Sequence, residues 1–400
     1  MRNSNARQLM MSMLLMLLLL SSAFTQQVHD VPSVGKRVTI NSTILGEERE
    51  LWVWTPSGYS DARPGLPVIY LLEPETHYLH VTAAVQFLSL YLRVPETIVV
   101  GVLHGRRGRD YTPPSNPSRD SAGYGGGDRF LQFLTDEVRP QIDQLYRTAP
   151  FSILIGHSLG GLITIHEAFT QPDAFSAYIA VSPSLYWADS LTLLSALSVV
   201  KNDNTLPRFL YLGLGEAERP DIKSTTKQLA TAISEKQPAT MKWSFAEFSR
   251  ENHLTVPMPA YYAALRWLFE GWLAPIGTIS TQIAETKSLE PFTKHFDQLS
   301  ERYGYDVQPA ELTFSMIGDR LYQLKMWDET LGLFARRVEL YPQSPEAHDE
   351  LARGYEAAGN LERALVSYKK ALELAQSQHH PSLEAIQERL KRAQQASHKN

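Results

Sequence analysis

Between residues 37 and 273 the apolar positions fall into short runs set between longer stretches of mixed polarity. Residues 37–44 and 50–54 alternate apolar and polar, which predicts an opening antiparallel hairpin turned near Leu45-Gly46. The runs 67–72, 97–103, 151–155, 177–181, 208–212 and 242–248 are nearly continuous in apolar residues. That is the pattern of strands covered on both faces. Helical spacing occupies 79–92, 129–146, 159–170 and 221–235, between most of those runs. Strands alternating with helices predict an α/β fold, a mostly parallel sheet with helices on both faces. In such sheets the chemistry gathers at the carboxyl ends of the strands. Residues 113–127 follow neither period. They hold Pro113, Pro114 and Pro117, then Gly123, Gly125, Gly126 and Gly127, and read as a long functional loop.

The pattern changes after residue 273. Residues 274–291 are small and polar and are expected to form a linker, and 292–400 read as helical throughout. Two stretches there repeat at a spacing of about 34 residues, the tetratricopeptide period. Ile317 aligns with Leu351, Gly318 with Ala352, Leu321 with Tyr355, Thr330 with Ala364, Phe334 with Tyr368 and Val338 with Leu372. Such helix pairs build concave surfaces for peptides or proteins and do no chemistry themselves. A protein or peptide partner is therefore expected for the tail. Cutting the chain in the linker is expected to leave hydrolysis of a small substrate intact.

At the other end, Arg2 and Arg7 precede the apolar stretch 9–20, and Ser21, Ser22 and Ala23 follow it. That order reads as a signal peptide over 1–25, followed by an α/β domain over 26–273. The apolar stretch is short of the roughly 20 residues a membrane span needs, so export without stable membrane insertion is expected, to the periplasm or the medium. The formal net charge of -5 argues against a nucleic-acid partner. With no cysteine in the chain, disulfides, a thiolate nucleophile and cysteine-ligated zinc are excluded.

The strongest chemical signal is Gly156-His157-Ser158-Leu159-Gly160-Gly161, set between an expected strand and an expected helix. This is the context of a nucleophile elbow, with Ser158 on the turn and the Leu159 N–H aimed at an oxyanion. A serine needs a base, and in this arrangement the order along the chain is serine, acid, histidine. His253 follows the last strand. The acid belongs after the strand at 208–212, where Glu218 is the first choice and Glu216 and Asp221 are alternatives. A second oxyanion donor is expected from the loop 72–76. Pro74 has no N–H, which leaves Glu75 or Thr76. Arg109 is a candidate for an anionic substrate group, with a brace to Asp110 as the alternative. Tyr186 and Trp187 are candidates to line the pocket, with simple packing as the alternative.

The elbow, together with Ala180-Val181-Ser182-Pro183-Ser184 and Glu251-Asn252-His253, resembles a family of esterases. That family includes the D-type esterases, the bacterial siderophore esterases and the mycolyltransferases. Arg109-Asp110-Tyr111-Thr112-Pro113 is similar to a segment of the siderophore-esterase branch. The resemblance covers roughly 37–273 and implies the α/β-hydrolase fold and a serine nucleophile. A family pattern of glycine, two residues and an acid falls on Gly215 to Glu218 and favours Glu218. Glu73-Pro74 departs from the Asp-Gly pair of many relatives. The expected activity is hydrolysis of a small-molecule carboxylic ester through an acyl-enzyme, of siderophore type or with a short acyl chain, without metal or organic cofactor. Two rivals remain: acyl transfer by the same triad, and a binding or scaffold protein that acts through its repeats.

Overall fold

The computed structural model describes residues 34–59, 64–116, 118, 120, 122–202 and 205–397. The expected signal peptide over 1–25 lies outside them. Eight strands form one sheet in the order β1-β2-β4-β3-β5-β6-β7-β8. β1 (Lys36–Ser42) and β2 (Glu47–Trp54) make the expected antiparallel hairpin, and β2 also pairs antiparallel with β4 (Ile98–Val102). β3 (Leu66–Leu72), β5 (Thr148–His157), β6 (Ala177–Val181), β7 (Phe209–Ala217) and β8 (Lys242–Asn252) continue the sheet in parallel with β4. The central strands are buried along nearly their whole length, which is why their sequences are apolar without alternation.

Around the sheet lie α1 (Pro74–Leu90), the short α2 (Arg107–Asp110), α3 (Gly127–Phe133) and α4 (Arg139–Leu145). They are followed by α5 (Leu159–Thr170), α6 (Trp187–Lys201), α7 (Pro220–Lys236) and α8 (Pro257–Leu268). Two apolar layers result. One holds Ile153, Ile155, Tyr211 and the inner face of α8, and the other holds Leu154, Tyr178, Leu212 and the inner face of α5. Together with the strand order this is an α/β-hydrolase fold followed by an all-helical region.

The expected linker at 274–291 is corrected by the structure. It contains a helix, α9 (Ile276–Thr286), and the start of α10 (Glu290–Tyr303). Ile279 and Ile283 stand four residues apart on one face and are buried, so the segment packs rather than spans. Nor is α10 a separate body. The Tyr303 ring lies 5.3 Å from Phe151 of β5 and 6.0 Å from Phe209 of β7, and its hydroxyl donates to the Leu268 carbonyl at 3.0 Å. Phe314 and Ile317 of α11 (Glu311–Gln323) and Leu333 of α12 (Trp327–Leu340) belong to the same apolar layer. Beyond them α13 (Pro345–Ala357), α14 (Leu361–Ser377) and α15 (Leu383–Ser397) pack around small clusters of their own. The small residue expected at Gly318 has a contact reason: a Cβ there would collide with the Phe334 ring. The buried Arg337 guanidinium ties α12 to Glu311 and Glu350.

Candidate active site

β5 ends at His157 and α5 begins at Leu159, so Ser158 alone makes the turn. Its φ of 57° and ψ of -116° are strained for a residue with a side chain. The surroundings hold it there. Ser158 N–H donates to the Val181 carbonyl, and its own carbonyl accepts from Ser184 N–H, both at 3.0 Å. Gly156 lets the helix fold back over the strand, because a Cβ at that position would strike the Gly160 carbonyl. The serine is therefore presented at the carboxyl end of the sheet with the first turn of α5 beneath it.

β7 and β8 deliver the other two groups. Their register shifts after Gly215, where β8 takes extra residues between Phe248 and Asn252 and Arg250 adopts a φ of 65°. The bulge brings His253, just past β8, beside Glu218, just past β7. His253 Nδ1 lies 2.8 Å from Glu218 Oε2, and its Nε2 lies 2.9 Å from Ser158 Oγ. The Glu218 carboxylate is fully buried, and its other oxygen accepts the Arg219 N–H at 2.9 Å. A buried carboxylate in this position orients the imidazole and stabilises its protonated form. Glu216 points elsewhere and accepts the Arg250 N–H at 3.0 Å, so it closes the bulge. Asp221 pairs with Arg219 and bonds Ile222 N–H at the start of α7. Glu218→Gln is therefore expected to lower kcat by about 10⁴-fold, whereas Glu216→Gln should change it less than about threefold. Steady-state kinetics on a p-nitrophenyl ester tests the pair, and equal losses would contradict the assignment.

Around this relay the remaining candidates separate. Leu159 opens α5 beside the serine. In the β3–α1 loop Glu73 has a left-handed backbone (φ 54°), and its carbonyl accepts the N–H groups of Thr76 and His77 at 3.1 and 3.2 Å. Thr76 is thus engaged, leaving Glu75 of the two expected donors. Arg109 makes the bracing contacts that were its alternative. Its guanidinium bonds both Glu47 oxygens, at 3.1 and 2.6 Å, and Asp110 at 2.7 Å. The arginine turned toward the elbow is Arg107, which grips Glu73. Three arginines crowd this loop, and no spacing rule says which one turns inward. Tyr186 is half-buried under the Arg219 guanidinium, 5.1 Å from its ring centre. Trp187 meets Tyr124 of the long loop at 5.0 Å. Immediately afterwards Ala188, Asp189 and Ser190 all adopt left-handed backbone.

Three further residues around the site escape a reading of the sequence. Ser184 Oγ lies 3.3 Å from Ser158 Oγ. The His157 ring stands 4.6 Å from that of His253, with the His77 ring 5.6 Å behind it. Burial holds His157 far below the usual imidazole range, at about 3, and His77 at about 4. Both are neutral near pH 7 and leave His253 as the ring that faces Ser158.

A groove of about 670 Å³ lies elsewhere, at the far end of α5, lined by Asp128, Arg139, His166 and Glu167 among others. It contains none of the relay residues. Glu167 is buried there, and burial, reinforced by Asp128, raises its carboxyl to about 7. A raised carboxyl contributes most stability below the unfolded value and loses it as pH climbs toward 7. Glu167→Gln should therefore raise Tm at pH 8 relative to the parent and leave it nearly unchanged at pH 4. A melting series across that range checks the sign.

The model of a family described as putative esterase matches residues 42–253, a span that holds Ser158, Glu218 and His253. The ferri-bacillibactin esterase BesA of Bacillus subtilis is 29% identical over 231 residues, covering 51% of this chain and 78% of BesA. The siderophore triacetylfusarinine C esterase of Aspergillus fumigatus is 34% identical over 164 residues, 37% of this chain and 55% of its own length. Among solved structures, an IroE-like serine hydrolase from Shewanella oneidensis is similar with a TM-score of 0.65 and 27% identity. It covers 76% of this chain and 99% of its own.

Proposed function

We propose, from the premise that the chain belongs to the putative-esterase family and is a carboxylic ester hydrolase, that it works through a covalent acyl-enzyme on Ser158. His253 removes the Ser158 proton as the hydroxyl attacks the ester carbonyl. The Leu159 N–H, with that of Glu75, stabilises the oxyanion. His253 then protonates the departing alcohol and afterwards activates the water that releases the acid, while Glu218 holds the ring in register. The observation that carries this reading is the continuous chain of contacts from Ser158 Oγ through His253 to the buried Glu218.

The substrate class in this reading is the ester of an iron-chelating siderophore. Support comes from the relatives, named for ferri-bacillibactin and for triacetylfusarinine C. The part-exposed Arg107 beside the elbow would suit an anionic chelate. Export belongs to the same proposal, on the strength of the segment 1–25. Among the described residues no helix is long and apolar enough to cross a membrane. The helical region from α11 onward is proposed to be tetratricopeptide-like and to hold a peptide or protein partner. A panel of p-nitrophenyl acyl esters and a siderophore lactone, run with a Ser158→Ala control, tests the function. Turnover of the lactone with kcat/KM well above that of the simple esters is expected. Hydrolysis of the simple esters alone would refute the siderophore assignment and leave the esterase chemistry standing.

A further inference from the structure

Behind the elbow, three ligand-type side chains converge that the hydrolytic relay does not use. Glu73 follows β3, His77 lies in the first turn of α1, and His157 precedes the nucleophile. One donor atom from each lies within 4.8 Å of the other two. The histidines are 4% and 7% exposed, so the cluster is built into the interior rather than spread on the surface.

The hydrogen bonds around the cluster decide what its inner atoms can do. His157 uses one ring nitrogen on the backbone of His253. Its Nε2 is buried and has no hydrogen-bond partner among the described residues. His77 Nδ1 faces His80 Nε2 at 3.1 Å, which leaves its own Nε2 for the cluster. Arg107 holds one oxygen of Glu73, and the other, Oε2, is buried without a partner. Glu73 Oε2 and His157 Nε2 therefore face one another as buried acceptors without a donor, and His77 Nε2 is a third acceptor in the tautomer whose Nδ1–H donates to His80. Two of them are imidazoles whose second nitrogen is anchored to a backbone or a neighbouring ring. That is how metal-ligating histidines are oriented and kept basic.

We propose that Glu73, His77 and His157 bind one divalent transition ion of the zinc class. Two imidazole nitrogens and one carboxylate oxygen are the donors that such borderline ions prefer, whereas calcium and magnesium take oxygen ligands. Three protein ligands leave a fourth position for water. The cation supplies the partner that Glu73 Oε2 and His157 Nε2 lack. Bonds of about 2.0–2.2 Å draw the donors together by side-chain rotation at Glu73 and His77. The bound ion ties Glu73 and the first turn of α1, which carries Glu75, to the elbow and through His157 to the His253 backbone. It thus joins three parts of the active site that reach it from different strands.

The test uses the mature full-length chain, stripped with a chelator and titrated with Zn²⁺ alone. Calorimetry should give one equivalent of Zn²⁺ with a raised Tm, and Co²⁺ should give the visible absorption of a four-coordinate nitrogen–oxygen site. Glu73→Gln and His77→Asn should each weaken Zn²⁺ binding by more than about tenfold. Ser158→Ala and His253→Ala should keep it. Should His77→Asn fail to fold by circular dichroism, Glu73→Gln decides alone. Binding lost in His253→Ala and kept in Glu73→Gln would put the ion on the catalytic pair and overturn the proposal. So would a folded parent protein that binds no Zn²⁺.

Discussion

Ser158→Ala should lower kcat on a small ester by about 10³-fold or more. The hydroxyl is the atom that forms the new bond, and nothing else in the relay substitutes for it. Ser184, 3.3 Å away, is the nearest alternative hydroxyl, but the His253 Nε2 contact is to Ser158. Ser184 follows β6 and lacks the position on the strand-to-helix turn that presents Ser158 to His253. The substitution itself is small, and it leaves the backbone bonds from Val181 and Ser184 in place. Loss of activity with an unchanged Tm is therefore the expected pattern. A parallel fall in Tm would mean that the strained turn needs the hydroxyl for folding. A Ser158→Ala protein with kcat within tenfold of the parent would refute the assignment of the nucleophile.

Cutting the chain after Gly277 should leave no soluble folded hydrolase. This reverses the expectation drawn from the sequence, and the reason is packing. The cut removes Ile279, Ile283, Phe292, Phe296, Leu299 and Tyr303, all buried in the apolar layer that also holds Phe151, Phe209 and Phe269. Full burial of one such side chain is worth about 1.5–3 kcal/mol. Losing several together approaches the whole net stability of a domain, about 5–15 kcal/mol. Exposed aromatic rings on β5 and β7 would then favour aggregation. A cut after Pro342 is a different case. It removes α13 to α15, whose clusters are separate, and frees Arg337 from Glu350 while Glu311 still holds it. That protein should remain monodisperse with kcat within about threefold of full length, because distant surface changes rarely disturb chemistry. Size-exclusion chromatography and kinetics on both truncations test the claim. A soluble, active protein ending at Gly277 would show that the shared layer is dispensable.

The order of strands and helices was legible because buried parallel strands and amphipathic helices leave different periods in the sequence. The elbow was legible because a serine between glycines, after a strand and before a helix, has few other uses. The ends of β7 and β8 were not. Both strands run further than their apolar cores suggest, and the bulge that joins Glu218 to His253 depends on pairing between distant segments. Glu216 and Glu218 have the same chemistry two residues apart, so Glu218 stood only as a first choice that the family pattern strengthened. Residues 274–291 were misread because the three isoleucines of α9 are diluted by small polar residues, Thr278, Ser280 and Thr281. Arg107, rather than Arg109, turned toward Glu73 for a reason held in the fold: Glu47 on β2 stands across from Arg109 and claims it. The cluster of Glu73, His77 and His157 was invisible because its members come from two separate chain segments.

The most direct test of the central claim is to trap the acyl-enzyme. The mature protein is mixed with a p-nitrophenyl ester, quenched in acid during turnover, digested and examined by mass spectrometry. One acyl group should appear on the peptide that contains Ser158, should be absent from Ser158→Ala, and should accumulate in a variant with His253→Ala only slowly or not at all. An adduct on another residue, or full turnover by Ser158→Ala, would contradict the account.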